Sequence, residues 1–348
     1  MLAARRHLFG AENVDPGTGA VSRGQAIVSW FGISSFAAAL NGHVVLLDAF
    51  IQYRTERPGY VPTSVDELIA LRPEAIFLGH GHGDHGELVS RIAGATCAVL
   101  VGTPENCAQF DAGVKALYGD ERSLQCVTVT EEGSATGQVV EIDAFRPDIC
   151  ITAFRHVHSD AVPPDPDRVP NIPLFLPDPG SYIVHPPGTP PYDTATGLSG
   201  DEGGSLLFQF RMHDFAVVWN DTVGPAKEAA PDLFARMREI PPTDVMLGAI
   251  LGFNIFTNGF RDAAMYAEAI QPQVFIPNHH DFIAPDGAQD DWQATFQRDL
   301  DGIPADVRPE LRWIVNPTDY VRPSLLHFNI DDPRWAKGDP ERPDGRCG

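Results

Sequence analysis

The sequence predicts an α/β fold, because short apolar segments with strand spacing alternate with amphipathic segments that have the spacing of helices. Asn41-Gly42 lies between two apolar segments, which is a strong signal for a β-hairpin. After this hairpin, helix-like and strand-like segments alternate, and a similar alternation returns in the second half of the chain. This arrangement is typical of layered α/β domains.

The first half of the chain supplies the clearer signals. Strands are expected at 26–32, 34–40 and 43–50, followed by a helix at 63–71, a strand at 74–79, a helix at 86–93 and a strand at 96–102. Ser64 and Glu67 fit a capping box at the start of the first helix, and Pro73 follows its end. Thr103-Pro104 marks the start of a further helix, because proline is favoured at the first helical position.

The second half repeats this alternation. Strands are expected at 148–156, 205–210, 215–220, 244–250 and 273–277, and helices at 230–240 and 261–270. No linker isolates two domains, so one domain is expected at 26–330, between an N-terminal extension at 1–25 and a C-terminal tail at 331–348. Residues 161–203 interrupt the pattern with many prolines and glycines. Because long loops in compact domains are usually functional or disordered, and this one contains apolar and aromatic residues, we expect an ordered flap beside the site.

The charge of the chain limits its partners. Lys and Arg total 25 against 47 Asp and Glu, a formal net charge of −22, which disfavours nucleic acid. The five cysteines show no C-x-x-C spacing, so a thiolate zinc site is not expected. No apolar segment has the ~18–20 residues needed to span a bilayer. We expect a soluble protein that acts on a small molecule, in the cytoplasm or after export.

The segment "GHGHGDHGEL" at 79–88 carries the strongest chemical signal. His80 and His82 leave a strand end two residues apart and therefore point the same way. Gly81 permits positive φ and lets the backbone fold round an ion, so that Asp84 and His85 can face a second position. Nitrogen and oxygen donors without thiolate suit Zn²⁺, Mn²⁺ or Fe. The spacing therefore predicts a metal site.

The motif H-x-H-x-D-H after an apolar strand, preceded by the "WFG…SSF…LLD" hairpin, resembles the metallo-β-lactamase fold superfamily. Within it, the N-terminal stretch is most similar to the branch of ascorbate-6-phosphate lactonase-like and N-acylphosphatidylethanolamine phospholipase D-like hydrolases. The resemblance covers about residues 26 to 285. It implies a four-layer αβ/βα sandwich, with metals in a groove at one edge of two facing sheets.

The resemblance also indicates where the remaining ligands lie. A histidine is expected after the strand at 148–156, and His158 fits the family pattern better than its rival His156. The carboxylate that bridges the metals is expected in a "G-D-T" element, which here is "WNDT". This assigns Asp221, with Asn220 in place of the usual glycine, so the local backbone geometry departs from the family pattern.

The last ligand is expected after the strand at 273–277, where His279 fits the register and His280 is adjacent. Neighbouring residues on an extended segment point opposite ways, so only one of the two should bind metal. His156, His280 and Asn220, together with His185 in the flap, are further candidates for contacts with the substrate or with the ligands.

The resemblance thus implies two divalent ions per chain, with zinc favoured over manganese or iron. One ion would be held by His80, His82 and His158 and the other by Asp84, His85 and His279, with Asp221 as the bridge. Two ions about 3.5–4 Å apart can hold a bridging hydroxide near neutral pH and polarise the scissile group. Asp84 would orient this hydroxide, so Asp84 and Asp221 are the expected catalytic residues.

The expected function is hydrolysis of an ester or lactone in a small, fairly apolar substrate, because the flap and the apolar segment 247–260 suit such a molecule. A phosphodiesterase of phospholipase-D-like type is the first alternative. The alternative from another class is a non-hydrolytic metal-binding protein or an iron redox protein on the same fold.

Overall fold

The computed structural model describes residues 1–52, 61–131, 133–167, 202–280 and 289–335. Most of the predicted flap and residues 336–348 of the predicted tail lie outside the described residues. The strands are β1 (Gln25–Gly32), β2 (Ser35–Leu40), β3 (His43–Leu47), β4 (Ala75–Phe77), β5 (Val99–Gly102), β6 (Cys126–Thr128), β7 (Val139–Ile142), β8 (Cys150–His156), β9 (Ser205–Met212), β10 (Phe215–Asn220), β11 (Val245–Ala249), β12 (Val274–Asn278), β13 (Glu310–Leu311) and β14 (His327–Asn329). The helices are α1 (Leu2–Phe9), α2 (Val65–Leu71), α3 (Gly83–Gly86), α4 (Val89–Thr96), α5 (Pro104–Tyr118), α6 (Ala226–Ala229), α7 (Leu233–Met237), α8 (Ile255–Asn258), α9 (Arg261–Ile270) and α10 (Gln289–Asp301).

The described residues form two compact units, each built on one sheet. The first unit comprises residues up to 134 with 202–204 and 317–330, and the second comprises 135–167, 205–280, 289–316 and 331–335. Both sheets are mixed and have helices packed against them, so the predicted α/β class is confirmed.

The sheet of the first unit has the strand order β14-β1-β2-β3-β4-β5-β6. The pairs from β14 to β3 are antiparallel, and the pairs from β3 to β6 are parallel. The predicted hairpin joins β2 to β3, and both of its turn residues have positive φ, 49° at Asn41 and 94° at Gly42. An Asn-Gly pair accepts this conformation at little cost, and the turn fixes the strand register.

The sheet of the second unit has the order β13-β12-β11-β10-β9-β8-β7. Its pairs from β7 to β10 are antiparallel, and those from β10 to β13 are parallel. Each unit therefore contains antiparallel strands followed by parallel ones. In both sheets the parallel strands end at one edge, and ligand-binding side chains of α/β proteins usually lie at the carboxyl ends of such strands.

Two helix starts were predicted from capping residues, and both are confirmed. The Ser64 side chain accepts a hydrogen bond of 3.1 Å from the Glu67 backbone N–H at the start of α2. Thr103 accepts a bond of 3.2 Å from the Asn106 backbone N–H at the start of α5, where Pro104 is the first helical residue. These bonds satisfy backbone groups that have no partner within the helix.

The residues before 26, expected to form an extension, are an integral part of the first unit. Leu8 and Phe9 of α1 are fully buried, and α1 packs against β1, β2 and α2. The Ser29 hydroxyl of β1 donates to the Leu8 carbonyl. The short amphipathic sequence of α1 gave no clear periodic signal, because its burial is determined by tertiary contacts.

A disulfide between Cys107 and Cys126 joins α5 to β6. Cys97 is an exposed free thiol. Among the described residues, no helix is long and apolar enough to cross a membrane.

Candidate metal centre

The predicted metal-binding turn follows β4 directly. His82 is the N-cap residue of α3, and Asp84 and His85 lie within this single helical turn. His80 and His85 are buried, whereas His82 and Asp84 are half-buried. The turn therefore presents four donors at the carboxyl end of a buried parallel strand.

Within this turn the donors converge. The His80 Nε2 and His82 Nδ1 atoms are 3.0 Å apart, and the His80 and His85 ring centroids are 4.1 Å apart. The His85 Nε2 atom is 3.5 Å from an Asp84 carboxylate oxygen. Zinc–nitrogen bonds are about 2.0–2.1 Å long, so two imidazole nitrogens at such a separation can share one ion.

Asp48, which was not among the predicted site residues, orients His85. Its carboxylate lies 2.8 Å from His85 Nδ1 and accepts hydrogen bonds from the Ser34 hydroxyl at 2.6 Å and the Gly79 N–H at 3.1 Å. All of these groups are buried. Because Nδ1 is engaged, Nε2 of His85 is the atom available to a metal. Asp48 follows β3 at the same edge as the turn, and its place in "LLD" was a signal that sequence reasoning did not use.

The backbone of the turn is fixed from both sides at Gly81, between the first two histidines. Its N–H donates to the Glu202 carbonyl at 2.7 Å, and its carbonyl accepts from the Gln109 side chain at 2.9 Å. The Asn106 side chain also donates to the Glu202 carbonyl, at 3.2 Å. Gln109 and Asn106 of α5 thus hold the turn without being ligand types, and no local sequence pattern identified them.

His156 and His158, the two rivals after β8, have different surroundings. His156 is buried and lies 3.2 Å from the Tyr266 hydroxyl through Nδ1. Burial, together with the nearby His158, lowers the pKa of His156 to about 3. His158 is half-buried, and its Nδ1 donates to the Ser159 carbonyl at 2.8 Å, which directs Nε2 away from the backbone. Such a bond to the second ring nitrogen is typical of histidines that bind metal.

Asp221 is fully buried immediately after β10. The Asn220 side chain donates to the Thr222 carbonyl at 2.7 Å, so asparagine in place of the family's glycine stabilises the turn that carries Asp221. The Thr222 hydroxyl accepts from the Ser159 N–H at 3.3 Å. A Cβ added at Gly224 would lie 2.3 Å from the His158 carbonyl oxygen. The turn with Asp221 and the segment with His158 are therefore in close contact.

His279 and His280 follow β12 and are both buried. The expectation that the pair lies on an extended segment is wrong at His279, which has a φ of 61°. This left-handed residue ends the strand and redirects the chain. The His280 ring packs at 4.4 Å from the Trp313 ring, measured between centroids. His185 lies outside the described residues.

The first unit contributes His80, His82, Asp84 and His85 as candidate donors, and the second unit contributes His158, Asp221 and His279. Neither His156 nor His280 is among these candidates. Every donor is an imidazole nitrogen or a carboxylate oxygen, and most are buried. This donor chemistry fits divalent metal ions such as zinc, manganese or iron.

Comparisons with known proteins agree with this arrangement. No protein-family model matches the chain. A UPF0173 metal-dependent hydrolase of Methanopyrus kandleri is 24% identical over 280 residues, which are 80% of this chain and 94% of that protein. This relative, and the ligand motif at the end of β4 in a mixed sheet, agree with the predicted resemblance to the metallo-β-lactamase fold superfamily.

Two solved structures are similar to this chain. Igni18, a metallo hydrolase from Ignicoccus hospitalis, has 14% identity, covers 83% of this chain and 95% of its own, and gives a TM-score of 0.48. The metallo-β-lactamase fold protein YhfI from Bacillus subtilis is 11% identical. The match covers 84% of this chain and 95% of YhfI, with a TM-score of 0.44. The lactonase-like and phospholipase-D-like branch stays a prediction.

Proposed function

We propose that this chain is a metal-dependent hydrolase that binds two divalent ions and cleaves an ester or lactone in a small, fairly apolar substrate. The observation that carries the proposal is the turn after β4, where the His80 Nε2 and His82 Nδ1 atoms are 3.0 Å apart and His85 Nε2 lies 3.5 Å from an Asp84 carboxylate oxygen. A buried cluster of this kind is costly without a bound cation, because each group loses hydration. The hydrolase named among the similar proteins supports the reaction class.

In this proposal, His80, His82 and His158 would hold one ion, Asp84, His85 and His279 would hold the other, and Asp221 would bridge the two. The role of Asp221 is supported by its full burial directly after β10, on a turn in contact with the segment that carries His158. When bound, the ions supply Lewis-acid activation of water and of the scissile group. Zinc suits the donor set best, and manganese or iron suits it as well.

The protein's own groups position the reactants. Asp84 is half-buried and lies 3.5 Å from His85 Nε2, which suits a carboxylate that orients the attacking water and holds its proton. Asp48 holds the His85 ring in one orientation. Gln109 and Glu202 fix the Gly81 peptide between His80 and His82. Groups held in this way cost little reorganisation during the reaction.

The substrate class is supported by charge and apolarity. A net charge of −22 opposes polyanionic substrates. The predicted apolar segment 247–260 contains Phe253 and Phe256, both strongly exposed. An uncharged, partly apolar ester or lactone fits these properties better than a phosphodiester.

The test is metal content by elemental mass spectrometry, together with turnover of p-nitrophenyl esters and bis(p-nitrophenyl) phosphate. We expect about two ions per chain, fewer in His85→Ala and His158→Ala, and ester turnover that is lost in Asp221→Ala. His213→Ala, which changes an exposed histidine, is the matched control and should retain metal and activity. Wild-type turnover in folded Asp221→Ala would refute the hydrolase proposal, and preference for the phosphodiester would refute the ester assignment.

A further inference from the structure

The loop from β11 to α9 has an inverted pattern of burial. Its two asparagines, Asn254 and Asn258, are 2% and 1% exposed, whereas Phe253 and Phe256 are 58% and 63% exposed. Among the described phenylalanines, only these two are exposed. Loops normally bury their apolar residues and solvate their polar ones. This loop therefore buries two polar side chains and exposes two large apolar ones, which is the reverse of the usual arrangement.

Buried hydrogen bonds hold this loop in place. The Asn254 side chain donates to the Asp262 carboxylate. The Asn258 side chain accepts from the Asp165 backbone N–H at 2.7 Å and donates to the Pro163 carbonyl at 3.3 Å. Because buried polar groups need such partners, the two asparagines fix the backbone on either side of Phe256.

A network of charges supports the same loop. Arg261 binds both carboxylate oxygens of Glu228, at 2.7 and 2.8 Å, and an Asp165 oxygen at 2.8 Å. Lys227 also binds Asp165, at 2.6 Å. Bidentate pairs of this kind are strongly directional. Phe253 and Phe256 therefore project from a rigid support.

The loop also touches the segments that carry two predicted metal ligands. A Cβ added at Gly252 would lie 2.6 Å from the Ser159 side chain and 2.8 Å from the Val223 carbonyl oxygen. Ser159 follows His158, and Val223 is two residues after Asp221. The outward-facing phenylalanines thus belong to a loop that packs directly against the candidate site.

From these observations we infer that Phe253 and Phe256 bind the apolar acyl chain of the substrate and determine its preferred length. This inference rests on the proposed hydrolase function. Rigid aromatic side chains bind apolar groups with little loss of conformational entropy, which suits a specificity surface. The net charge of −22 opposes docking on anionic membranes, and the contact with the ligand-bearing segments favours substrate.

The experiment compares the metal-loaded wild type with Phe253→Ser/Phe256→Ser and with the conservative Phe253→Leu/Phe256→Leu. We measure kcat/KM for p-nitrophenyl acetate and octanoate, and octanoate binding by calorimetry as a readout independent of turnover. In the serine variant, the ratio of kcat/KM for the octanoate ester to that for the acetate ester should fall by about tenfold, with the acetate value unchanged. This variant should also bind octanoate more weakly. The leucine variant should recover most of the ratio. Val139→Ser, which removes another exposed apolar residue, should leave both kcat/KM values and the octanoate affinity unchanged.

An unchanged octanoate-to-acetate ratio in the serine variant would overturn the inference while leaving the hydrolase proposal intact. If no ester is cleaved, the proposed function fails, and octanoate binding alone decides whether the phenylalanines form an apolar site. The serine variant could instead lose binding to phosphatidylcholine vesicles, or lose self-association, while its octanoate-to-acetate ratio stays unchanged. Either result would assign Phe253 and Phe256 to a membrane or to a second copy of the chain, and would also overturn the inference.

Discussion

Asp48 is a buried carboxylate outside the predicted ligand set, and it orients the predicted ligand His85. It accepts hydrogen bonds from Ser34 and Gly79 and lies 2.8 Å from His85 Nδ1. A carboxylate in this position fixes the tautomer and raises the basicity of the other imidazole nitrogen. We therefore expect the metal affinity of the site to depend on a residue outside the predicted ligand set.

Asp48→Asn tests this dependence. The amide keeps the size of the side chain but lacks the negative charge, so we expect metal affinity to fall by about 10–100-fold. Competition with a chromogenic chelator measures the effect. Asp66→Asn, an exposed carboxylate in the first turn of α2, is the matched control. Equal metal affinities in the wild type, Asp48→Asn and Asp66→Asn would mean that His85 is oriented without the Asp48 charge.

The two histidines after β8 are separated by a second pair of variants. His158→Ala should reduce metal content, whereas Tyr266→Phe should keep it. Tyr266→Phe should lower the free energy of unfolding by about 1–3 kcal/mol, because the buried hydrogen bonds of the hydroxyl to His156 and to the backbone at Val157 and Gly224 are lost. Elemental analysis and urea unfolding give the two readouts. Metal loss in Tyr266→Phe comparable to that in His158→Ala would instead identify His156 as a ligand.

For individual residues, the sequence predicts the candidate metal ligands better than it predicts the residues that orient them. The glycine-spaced histidines follow a strand within a short range, so local spacing reveals them. Asp48, Gln109 and Tyr266 reach the site through tertiary contacts over 37, 28 and 110 residues, and no local pattern records such distances. The positive φ of His279 likewise depends on how β12 ends.

Among the elements, the turn after β10 and the end of β8 are in close contact at Gly224. Its missing side chain allows the His158 and Val157 carbonyl oxygens to approach to 2.3 and 2.5 Å of where a Cβ would lie. Both contacts are with backbone, which cannot move aside as a flexible side chain can.

We expect Gly224→Ala to lower the free energy of unfolding by about 1–3 kcal/mol and to reduce metal content, because it separates the segments that carry His158 and Asp221. Gly17→Ala is the matched control, since an added Cβ there meets only an Asp15 oxygen at 3.5 Å. Urea unfolding measures the stability of both variants, and elemental analysis measures their metal content. A fully stable Gly224→Ala protein with normal metal content would show that these segments tolerate separation.

Predicted and observed elements agree where packing produces a regular pattern. β1, β4, β10 and β11 are buried throughout or nearly so, and their apolar runs were visible in the sequence. β7 alternates between exposed positions and positions that are partly or fully buried, and β13 has two residues. Such edge strands carry little hydrophobic signal because few of their side chains enter the core.

Across the whole molecule, an excess of acidic groups makes individual carboxylate pairs important for stability. Hydrogen bonds from Lys227, and then from Arg261, hold the pKa of Asp165 well below its usual range. Asp167 lies 3.4 Å from Lys227, and the carboxylates of Glu228 and Asp262 bind the same Arg261. Because the folded-state pKa lies below the unfolded one, the stability contributed by Asp165 is complete above the unfolded pKa and is lost as the pH falls through the folded value.

Asp165→Asn should therefore be less stable than wild type by a constant amount above about pH 5, and the difference should narrow below about pH 4, near the unfolded pKa of aspartate. Urea unfolding across this range gives the difference directly. A difference that stays the same down to the lowest measurable pH would show that Asp165 contributes through packing and not through its charge.

The two sheets show what the sequence predicts of the whole fold. The second half of the sequence echoes the first, and each unit has antiparallel strands followed by parallel ones. The outer strands break the correspondence, since β7 directly precedes its partner β8, whereas β14 pairs with β1 from the far end of the chain. Pairing between such distant segments leaves no local trace in the sequence.

This distant pairing has a consequence for protein synthesis. His327 meets Gln25 across 302 residues, and the Val28 and Trp30 N–H groups donate to the Leu326 and Tyr320 carbonyls. At about 5–20 residues per second, the ribosome needs roughly 15–60 s to complete this stretch. Throughout that time β1 is an open edge on the nascent chain, a ready template for pairing with a neighbouring chain on the same polysome. The last described strand thus covers the edge of the first one, and we expect a chain truncated before residue 327 to be prone to aggregation.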